Sequence, residues 1–523
     1  MRIRVAHHGA LFSDLIFVAL AAFLGTPLTA QVTARAGSQR SEIPAAYSAI
    51  READLRRDIG EMAGPAMRGR EGGTIDEMRA SIWVAEQYRR IGLKPMGDDG
   101  TYFQWFDMTR TRVSSAASHA RIGGQDMVLW QDLVAVNTVP AEASGAVLWI
   151  ADVEDTTANV RGRIVATPVL EPAPNTIRQN SYTFASRYAD AAINGTLARL
   201  GRRGAAAIIL VANAAVDSAF EVVSSARSRG AYDVDDAVPR SANGSRRMGP
   251  PPALGSGQTP AYLVRMAMGE TLRQQPQAEL SMRVERFTVP TVNVIGVVRG
   301  TDPRLRDEYV LYSSHQDANG VRTTLEGDSV HAGADDNASV TTAELAAARA
   351  FVRQPGKRSV LFINHGSEER GLIGSRYHAA HPVVPLSQIV AVLNGDMIGR
   401  NNPDSAALLG SQPPHRNSSD LVAMALRANE LTGHFKLDSL WDRPTHREGW
   451  YFRSDHLPYA RMNVPALMYS TNLHDDYHTP RDNPANIDYP KLTRMAQWMY
   501  LTGWFVANAA ARPKLDPGFA LER

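Results

Sequence analysis

The chain has 523 residues, of which 44% are hydrophobic and 21% are charged, a composition typical of globular proteins. Its formal net charge of +2 indicates neither nucleic acid nor a strongly acidic partner. The chain contains no cysteine, which excludes disulfides and requires that any metal be bound by His, Asp and Glu. At about 150 residues per domain, the length predicts two or three domains.

Residues 1–30 have the three-part pattern of a secretory signal peptide. Basic residues at the start precede an apolar run from Leu15 to Leu24, and small residues come before Gln31. The apolar run is shorter than the ~20 residues that span a bilayer. We expect cleavage after Ala30 and a secreted or periplasmic protein without a transmembrane segment. The alternative is an uncleaved membrane anchor.

Residues 43–135 are predicted to begin an α/β domain. A helix is expected from Ile43 to about Met62. A second helix is expected after Thr74, a suitable N-cap, and before Gly92, a suitable stop, because apolar residues between them recur at helical spacing. Strand-like sequence begins at Tyr102.

Residues 136–286 are predicted to form an inserted, β-rich module. Short buried strands are expected near residues 145–150, 160–166 and 204–211. Residues 220–260 are rich in Ser, Arg, Gly and Pro, which predicts a long surface loop. The module contains no sequence cluster of metal-ligand residues, so we do not expect it to be catalytic.

Residues 287–512 alternate between strand and helix patterns, and residues 513–523 form a C-terminal tail. This alternation predicts an α/β fold with a mixed, mostly parallel central sheet and helices on both faces. The predicted strands are Val292–Val298, Tyr309–Ser314, Ser359–Asn364, Ile389–Asn394 and Ala466–Ser470, and the predicted helices are Ala338–Val352, Asp420–Leu431 and Tyr489–Asn508.

Clusters of histidine and acidic residues follow these strands or occupy Gly-rich turns, where side chains of such sheets project into a cleft. Catalytic zinc takes nitrogen and oxygen ligands and keeps one position open, and a zinc pair needs a bridging carboxylate. A matching set is present: the histidines His315 and His478, Asp336 as a possible bridge, and the terminal carboxylates Glu369 and Asp396.

Two further acidic residues belong to the same clusters. Asp317 is placed to hydrogen-bond His315 and fix its tautomer. Glu368 is placed to take a proton from a water molecule as a general base.

Each cluster alone has an ordinary explanation, such as a solvated acidic turn at Glu368 or a helix cap at Asp335. Their joint occurrence favours a two-metal site. His474 is a rival to His478 as a ligand. His331 and His365 are interpreted as a loop residue and a buried residue without a direct catalytic role.

The clusters resemble those of the co-catalytic zinc exopeptidases, which include bacterial leucyl aminopeptidase, with glutamate carboxypeptidases and glutaminyl cyclases as relatives. The resemblance implies the zinc exopeptidase fold for residues 43–135 and 287–512. The segment from Arg68-Gly69-Arg70 through Gly92-Leu93-Lys94-Pro95 is similar to the N-terminal part of the family. Residues 136–286 resemble, less closely, an inserted protease-associated domain.

Carried over by position, the resemblance implies two Zn²⁺ ions that share Asp336. His315 and Asp396 would complete one site, and Glu369 and His478 the other.

Glu368 takes the general-base position in this resemblance, and Asp317 takes the position that orients His315. The resemblance also implies a cis peptide bond between Asp336 and Asn337.

The implied function is an aminopeptidase that hydrolyses N-terminal residues from peptides, with a water on the zinc pair as nucleophile and Glu368 as base. One alternative is a carboxypeptidase of the same family, which would need cations for the substrate carboxylate. Another is a glutaminyl cyclase-like acyltransferase, which uses a single zinc and is disfavoured by the intact His315 and Asp317. A receptor-type relative without activity is expected to have lost Glu368 or a ligand. The arginines available to a carboxypeptidase are Arg400, Arg443, Arg447 and Arg453.

Overall fold

Two large β-sheets with their covering helices organise the chain from Ala45 onward. The computed structural model describes residues 42–172, 184–239, 258–325 and 327–522, so the predicted signal peptide lies outside the described residues. The helices are α1 (Glu52–Met62), α2 (Ile75–Ile91), α3 (Phe184–Leu200), α4 (Ala214–Ser218), α5 (Phe220–Arg227), α6 (Met268–Gln274), α7 (Ser339–Arg353), α8 (Ile373–Ala380), α9 (Ser419–Leu431), α10 (His456–Arg461) and α11 (Tyr489–Asn508).

The strands divide between the two sheets and one separate hairpin. They are β1 (Lys94–Pro95), β2 (Phe103–Val113), β3 (His119–Ile122), β4 (Gln125–Asp126), β5 (Leu133–Ala135), β6 (Ala141–Trp149), β7 (Ile164–Pro168), β8 (Ala207–Val211), β9 (Ala231–Asp233), β10 (Ala261–Val264), β11 (Gln277–Met282), β12 (Val284–Val298), β13 (Tyr309–His315), β14 (Gly320–Leu325), β15 (Asp328–His331), β16 (Ser359–His365), β17 (Ile389–Gly395), β18 (Ser405–Leu409), β19 (Lys436–Leu437) and β20 (Ala466–Ser470).

The first sheet has ten strands in the order β19-β18-β20-β17-β13-β16-β12-β2-β9, with β1 paired to β12. Its centre, β20-β17-β13-β16, is parallel. The neighbouring strands β18, β12 and β2 pair antiparallel. The predicted mixed sheet is confirmed, although parallel pairing is limited to these central strands and to β18 with β19 at one edge and does not extend over most of the sheet.

The central strands are covered by helices on both faces. Every residue of β13, β16 and β17 is buried, as expected for strands with helices above and below. Leu311 packs in a core cluster with Ala379 of α8 and Tyr459 of α10. On the opposite face, the ring of Tyr312 contacts Phe351 of α7. The predicted helices on both faces are therefore present.

The second sheet has eight strands in the order β4-β3-β11-β6-β7-β8-β10-β5. Its core packs against α3 and α5 on one side and against α6 on the other. The second sheet and these helices, called the second layer below, are therefore α/β in character and not only β-rich. Strands β3, β4 and β5 precede residue 136, and β9 joins the first sheet by pairing with β2. The sheet thus extends beyond the predicted start of the insert, whose boundaries stay predictions.

The prediction of a long loop over residues 220–260 is wrong at its beginning. Helix α5 and strand β9 lie there, because Phe220 and Val223 are buried in the core of the second sheet despite the polar composition around them. Residues 240–257 lie outside the described residues.

Local sequence signals set both ends of α2. Thr74 caps α2 by accepting a hydrogen bond from the N–H of Asp76, and Gly92 ends it in the left-handed conformation, both as predicted. The helix expected from Ile43 is instead a 3₁₀ turn at Ala45–Ala49 followed by α1. None of the helices in the described segments combines the length and the apolar character of a bilayer-spanning helix.

A close approach of α11 to β13 offers a test of this packing. The hydroxyl of Tyr312 donates to the carbonyl of Met499 at 2.9 Å, and a Cβ added at Gly503 would overlap that hydroxyl. We therefore expect Gly503→Ala to lower the free energy of unfolding by about 1–3 kcal/mol. Gly60→Ala is the matched control: it lies in α1 with nothing within 4 Å of an added Cβ, and we expect a gain of about 0.5–1 kcal/mol.

The measurement is the denaturation midpoint of both variants. A midpoint for Gly503→Ala at or above that of Gly60→Ala would contradict the described contact between α11 and β13.

Candidate metal centre

The parallel strands of the first sheet bring the predicted site residues to one edge. His315 is the last residue of β13, Glu368 follows β16 by three residues, and Asp396 directly follows β17. The carboxyl ends of parallel neighbours lie side by side. Asp336 lies in the turn before α7, and His478 lies in the loop after β20. Three strand ends and two loops therefore meet.

Six side chains form two groups that could each hold a metal ion. The ligand atoms within each group all lie within 4.8 Å of one another. Glu368, predicted as a base and not as a ligand, is included by this geometry. The first group is His315, Glu368 and Asp396, and the second is Asp336, Glu369 and His478.

Asp336 lies between the two groups. Its Oδ1 is 3.3 Å from Nε2 of His315, and its Oδ2 is 3.1 Å from Nε2 of His478. Nε2 of His478 is also 3.1 Å from Oε2 of Glu369. One carboxylate thus presents one oxygen to each half of the site, as a ligand bridging two metal ions must.

The two histidines have the unused donor atoms that a metal requires. Nε2 of His315 and Nε2 of His478 are buried and make no hydrogen bond of acceptable geometry within the described residues, although carboxylate oxygens lie 3.1–3.8 Å away. Such buried nitrogens are normally hydrogen-bonded. Nitrogen and carboxylate donors match the preference of zinc. The donor set therefore fits a pair of zinc ions.

Asp317 holds both His315 and the acidic pair. Nδ1 of His315 lies 3.2 Å from the backbone carbonyl of Asp317 and 3.5 Å from its Oδ1. The same carboxylate accepts the backbone N–H of Glu368 at 2.9 Å and of Glu369 at 3.2 Å. One side chain thereby orients a histidine and fixes the turn that carries two further site residues.

The turn around Asp336 is fixed by its backbone. Asp482 accepts the N–H of Asp335 at 2.8 Å and of Asp336 at 3.0 Å. The peptide bond between Asp336 and Asn337 is cis, which confirms that prediction. The Asn337 side chain donates to the carbonyl of Gly395 at 3.0 Å and so ties this turn to the segment that carries Asp396.

Arg70 joins three loops beneath the site. It is fully buried, and it donates to the backbone carbonyls of Gln316 at 2.8 Å, Ala332 at 2.6 Å and Gly333 at 2.8 Å. Burial lowers the pKa of its guanidinium to about 10, while Asp317 opposes that shift. The group therefore stays cationic at neutral pH beside a strongly acidic site.

Sequence reasoning missed Arg70, Asp482 and Asn319. Asn319 donates to Oε1 of Glu369 at 2.7 Å. Each of these residues acts through backbone groups or through a predicted site residue. The only signal was that Asn319 follows Asp317 by two residues and that Asp482 follows His478 by four.

The other histidines that the sequence offered are not members of the two groups. Nε2 of His474 lies 3.5 Å from Asp335, so the structure brings His478 to the site and not its rival. His365 is fully buried, with Nδ1 3.3 Å from Asn293. His331 is also buried, where the sequence predicted a loop residue; its β15 strand pairs with β14 and carries it inward.

Comparisons with known proteins identify the family. Residues 293–502 match the model of Peptidase family M28, and this range includes all seven predicted site residues. This part of the chain is therefore similar to the peptidases of family M28.

Curated relatives of the family match at low identity. The aminopeptidase YwaD of Bacillus subtilis is 24% identical over 263 residues, which cover 49% of this chain and 53% of that protein. A probable zinc metalloprotease of Pyrenophora tritici-repentis is 24% identical over 267 residues, covering 43% and 59%. The chain thus spans slightly more than half the length of the curated relatives that it matches.

Solved structures share the fold of this chain. The aminopeptidase from Aneurinibacillus sp. strain AM-1 superimposes with a TM-score of 0.54 at 16% identity, covering 90% of this chain and 97% of that one. The zinc aminopeptidase BSAP of Bacillus subtilis gives 0.53 at 18% identity, covering 90% and 99%. The predicted zinc exopeptidase fold is confirmed, whereas the ligand roles of individual residues stay predictions.

The crowded M28 site retains protons when no metal is bound. Burial raises the pKa of Asp396 to about 8, and the charge of Asp336 adds to the shift. Burial also raises the pKa of Glu368 well above its usual range. Burial lowers the pKa of His478, but Glu369 and Asp336 outweigh it and raise the pKa to about 9. At pH 7 the metal-free site therefore holds protons on groups that a metal needs deprotonated.

We expect zinc binding to release protons and to strengthen as pH rises from about 6 to 9, because protonation of Asp396 and His478 competes with the metal. Calorimetric titration of the metal-free chain with zinc, in buffers of different ionisation enthalpy, measures the number of protons released. A pH-independent affinity with no proton release would contradict this electrostatic description.

Proposed function

We propose that this protein is a two-zinc metallo-exopeptidase, an aminopeptidase that removes N-terminal residues from peptides. The observation that carries the proposal is the position of Asp336, with one carboxylate oxygen toward His315 and the other toward His478. A bridging carboxylate between two terminal histidines is the arrangement that a pair of catalytic zinc ions requires.

The proposed ligands divide into two sets that share Asp336. His315 and Asp396 complete the first zinc site, and Glu369 and His478 complete the second. Four carboxylates, counting Glu368, then balance two divalent cations, which removes the repulsion that burial would otherwise impose on them.

Glu368 is the proposed general base. Its side chain is 11% exposed, and its Oε2 lies 3.8 Å from Nε2 of His315, so it faces both the interior of the site and its opening. Bound zinc supplies Lewis acidity that polarises the scissile carbonyl and lowers the pKa of water. Glu368 accepts the proton of the attacking water and returns it to the leaving amine, while Asp317 holds its backbone in place.

An aminopeptidase is favoured over a carboxypeptidase by the carboxylate oxygens at the site, which can accept hydrogen bonds from an α-ammonium group even when zinc balances their charge. The cationic α-amine of a free peptide N-terminus pairs with acidic groups such as Glu369, whereas a C-terminal carboxylate requires cations. Arg400 and Arg453, two of the arginines available from the sequence, are ion-paired with Asp476 and Glu448. The names of the relatives, an aminopeptidase and zinc metalloproteases, point in the same direction.

Location and domain organisation belong to the same proposal. We propose a secreted or periplasmic protein that loses residues 1–30. Residues 136–286 would form a protease-associated domain within the peptidase domain.

Adjacent aspartates provide a test of the metal count. Asp336→Asn removes the proposed bridge, so we expect it to bind less than one zinc per chain, against two in the unaltered protein. Asp335→Asn is the matched control, because Asp335 accepts the N–H of Gly399 and faces His474; we expect it to retain two. Elemental analysis after dialysis against zinc measures the content, and two zinc ions in Asp336→Asn would refute the bridging role.

The Glu368→Gln substitution tests the reaction. It keeps the shape of the side chain but cannot accept a proton, so we expect kcat to fall by about 10²–10⁴-fold with zinc content unchanged. The assay is hydrolysis of aminoacyl chromogenic amides by the zinc-loaded chain, beside their N-acetylated forms. We expect turnover of the free-amine substrates alone.

Two results would overturn these assignments. Full activity of Glu368→Gln would exclude Glu368 as the base. Cleavage of N-acetylated substrates as fast as free amines would exclude an aminopeptidase, and carboxypeptidase and cyclase substrates would then be tested.

A further inference from the structure

Three arginines gather beside the second metal group. They come from distant parts of the chain: Arg229 lies before β9, Arg322 lies in β14, and Arg370 directly follows Glu369. Glu71 pairs with Arg229 at 2.8 Å and with Arg370 at 2.7 Å. Glu71 thus pairs with two of the three guanidinium groups.

Arg322 is the member of this cluster without a carboxylate partner. In the described segments it forms no ion pair within 4 Å, and its one side-chain hydrogen bond runs from Nη2 to Oδ1 of Asn319 at 3.0 Å. Asn319 in turn donates to Glu369. A single amide side chain therefore separates the guanidinium from a proposed zinc ligand.

The surroundings of Arg322 are unfavourable for a cation. Burial lowers its pKa to about 9, and the charges of Arg370 and Arg229 add to that effect. Glu71 and Glu369 oppose the shift without forming a direct ion pair with Arg322, and groups with strongly shifted pKa values concentrate at functional sites.

His331 supplies a second polar group at the same place. It is 7% exposed, and neither ring nitrogen has a hydrogen-bond partner within the described residues. Burial lowers its pKa to about 4, and Arg322 and His478 add to the shift. In either protonation state the ring has at least one N–H to donate.

These groups lie on the open side of the site. The side chain of His478 is 31% exposed, whereas that of His315 is fully buried. The half of the site that contains His478 is therefore the more exposed one, and His331 and Arg322 belong to its surroundings. If zinc balances the ligand carboxylates, Arg322 is not needed to neutralise Glu369.

We propose that Arg322 and His331 form a carboxylate-binding subsite next to the Glu369 and His478 half of the centre. The proposal rests on the proposed function and specifies its substrate: a peptide that carries a carboxylate close to the scissile bond. The forked guanidinium matches the two oxygens of a carboxylate, and the imidazole N–H adds a further donor. The carboxylate belongs either to an N-terminal Glu or Asp side chain or to the C-terminus of a short peptide.

Pairs of substrates that differ only in the carboxylate distinguish the two sources. The p-nitroanilides of Glu and Gln serve to compare a side-chain γ-carboxylate with a γ-amide. The peptide Leu-Gly-Gly and its amide serve to compare a free C-terminus with an amidated one. The readout is the ratio of kcat/KM within each pair for the zinc-loaded full chain, because a ratio is insensitive to the fraction of active protein.

We expect a ratio above about tenfold in favour of the carboxylate in one of the two pairs. Arg322→Gln removes a charge-assisted contact. We therefore expect the ratio for that pair to fall by roughly 10- to 100-fold in Arg322→Gln and by less in Arg322→Lys. Arg304→Gln is the matched control: its side chain is 91% exposed, and its nearest ion-pair atom, on Asp302, is 3.9 Å away. It should leave the ratio unchanged.

Binding to the zinc-loaded Glu368→Gln chain decides the question without turnover. The affinity ratio for each pair is measured by calorimetry, with and without Arg322→Gln. Ratios near one for both pairs, or a preference that survives Arg322→Gln, would overturn the subsite. If the chain hydrolyses the Gln and amidated substrates as well as their carboxylate partners, the subsite is rejected and the peptidase function stands. If the chain binds the carboxylate substrates preferentially but hydrolyses none, the peptidase function is rejected and the subsite stands.

Discussion

Asp336 holds its two carboxylate oxygens toward two different histidines, in a space that further carboxylates share. Like charges in such a space cannot all ionise unless cations or protons compensate them. The raised pKa of Asp396 and the raised pKa of Glu368 are the direct consequences in the metal-free chain. The other residues of the site form hydrogen bonds that hold these carboxylates close together despite their mutual repulsion.

Most of these hydrogen bonds join a charged side chain to a backbone group. Arg70 donates to carbonyl groups of the loops at Gln316 and Ala332. Asp482 and Asp317 do the reverse and accept N–H groups of the turns that carry the site residues. Charged side chains with buried backbone partners satisfy groups that would otherwise lose hydrogen bonds. The loops are thereby positioned without using the ligand side chains, whose donor atoms remain available for metal.

The sequence predicted the centre of the first sheet and the residues at its strand ends. The predicted strand Ala466–Ser470 and helix Tyr489–Asn508 have the bounds found in the structure, because long apolar runs and capping residues carry strong local signals. The turn at Asp336 was predicted from the family resemblance together with its Gly-rich sequence.

What the sequence did not predict depends on contacts between distant segments. Arg70 meets Gln316 across 246 positions, and Glu71 meets both Arg229 and Arg370. No local pattern distinguishes such arginines from those on the surface. The same limit explains β9, which leaves the second layer to pair with β2, since a three-residue strand has no periodicity to detect.

The second layer contacts the peptidase domain at two places that bear on the site. Arg187 of α3 pairs with Glu448, which also pairs with Arg453. Arg453 donates to the hydroxyl of Tyr477 at 3.0 Å, and the Tyr477 ring stacks on His478.

At the other place, Arg229 donates to the carbonyl of Val321 at 2.8 Å, next to Arg322, and shares Glu71 with Arg370. The contact through Arg187 thus leads to His478, a proposed zinc ligand. The contact through Arg229 leads to Arg322 in the proposed carboxylate subsite. Ionic contacts between partly buried groups constrain geometry because a charge that loses its partner must be rehydrated or left unpaired. The second layer therefore constrains the surroundings of both without contributing any of the proposed ligand side chains or the proposed base.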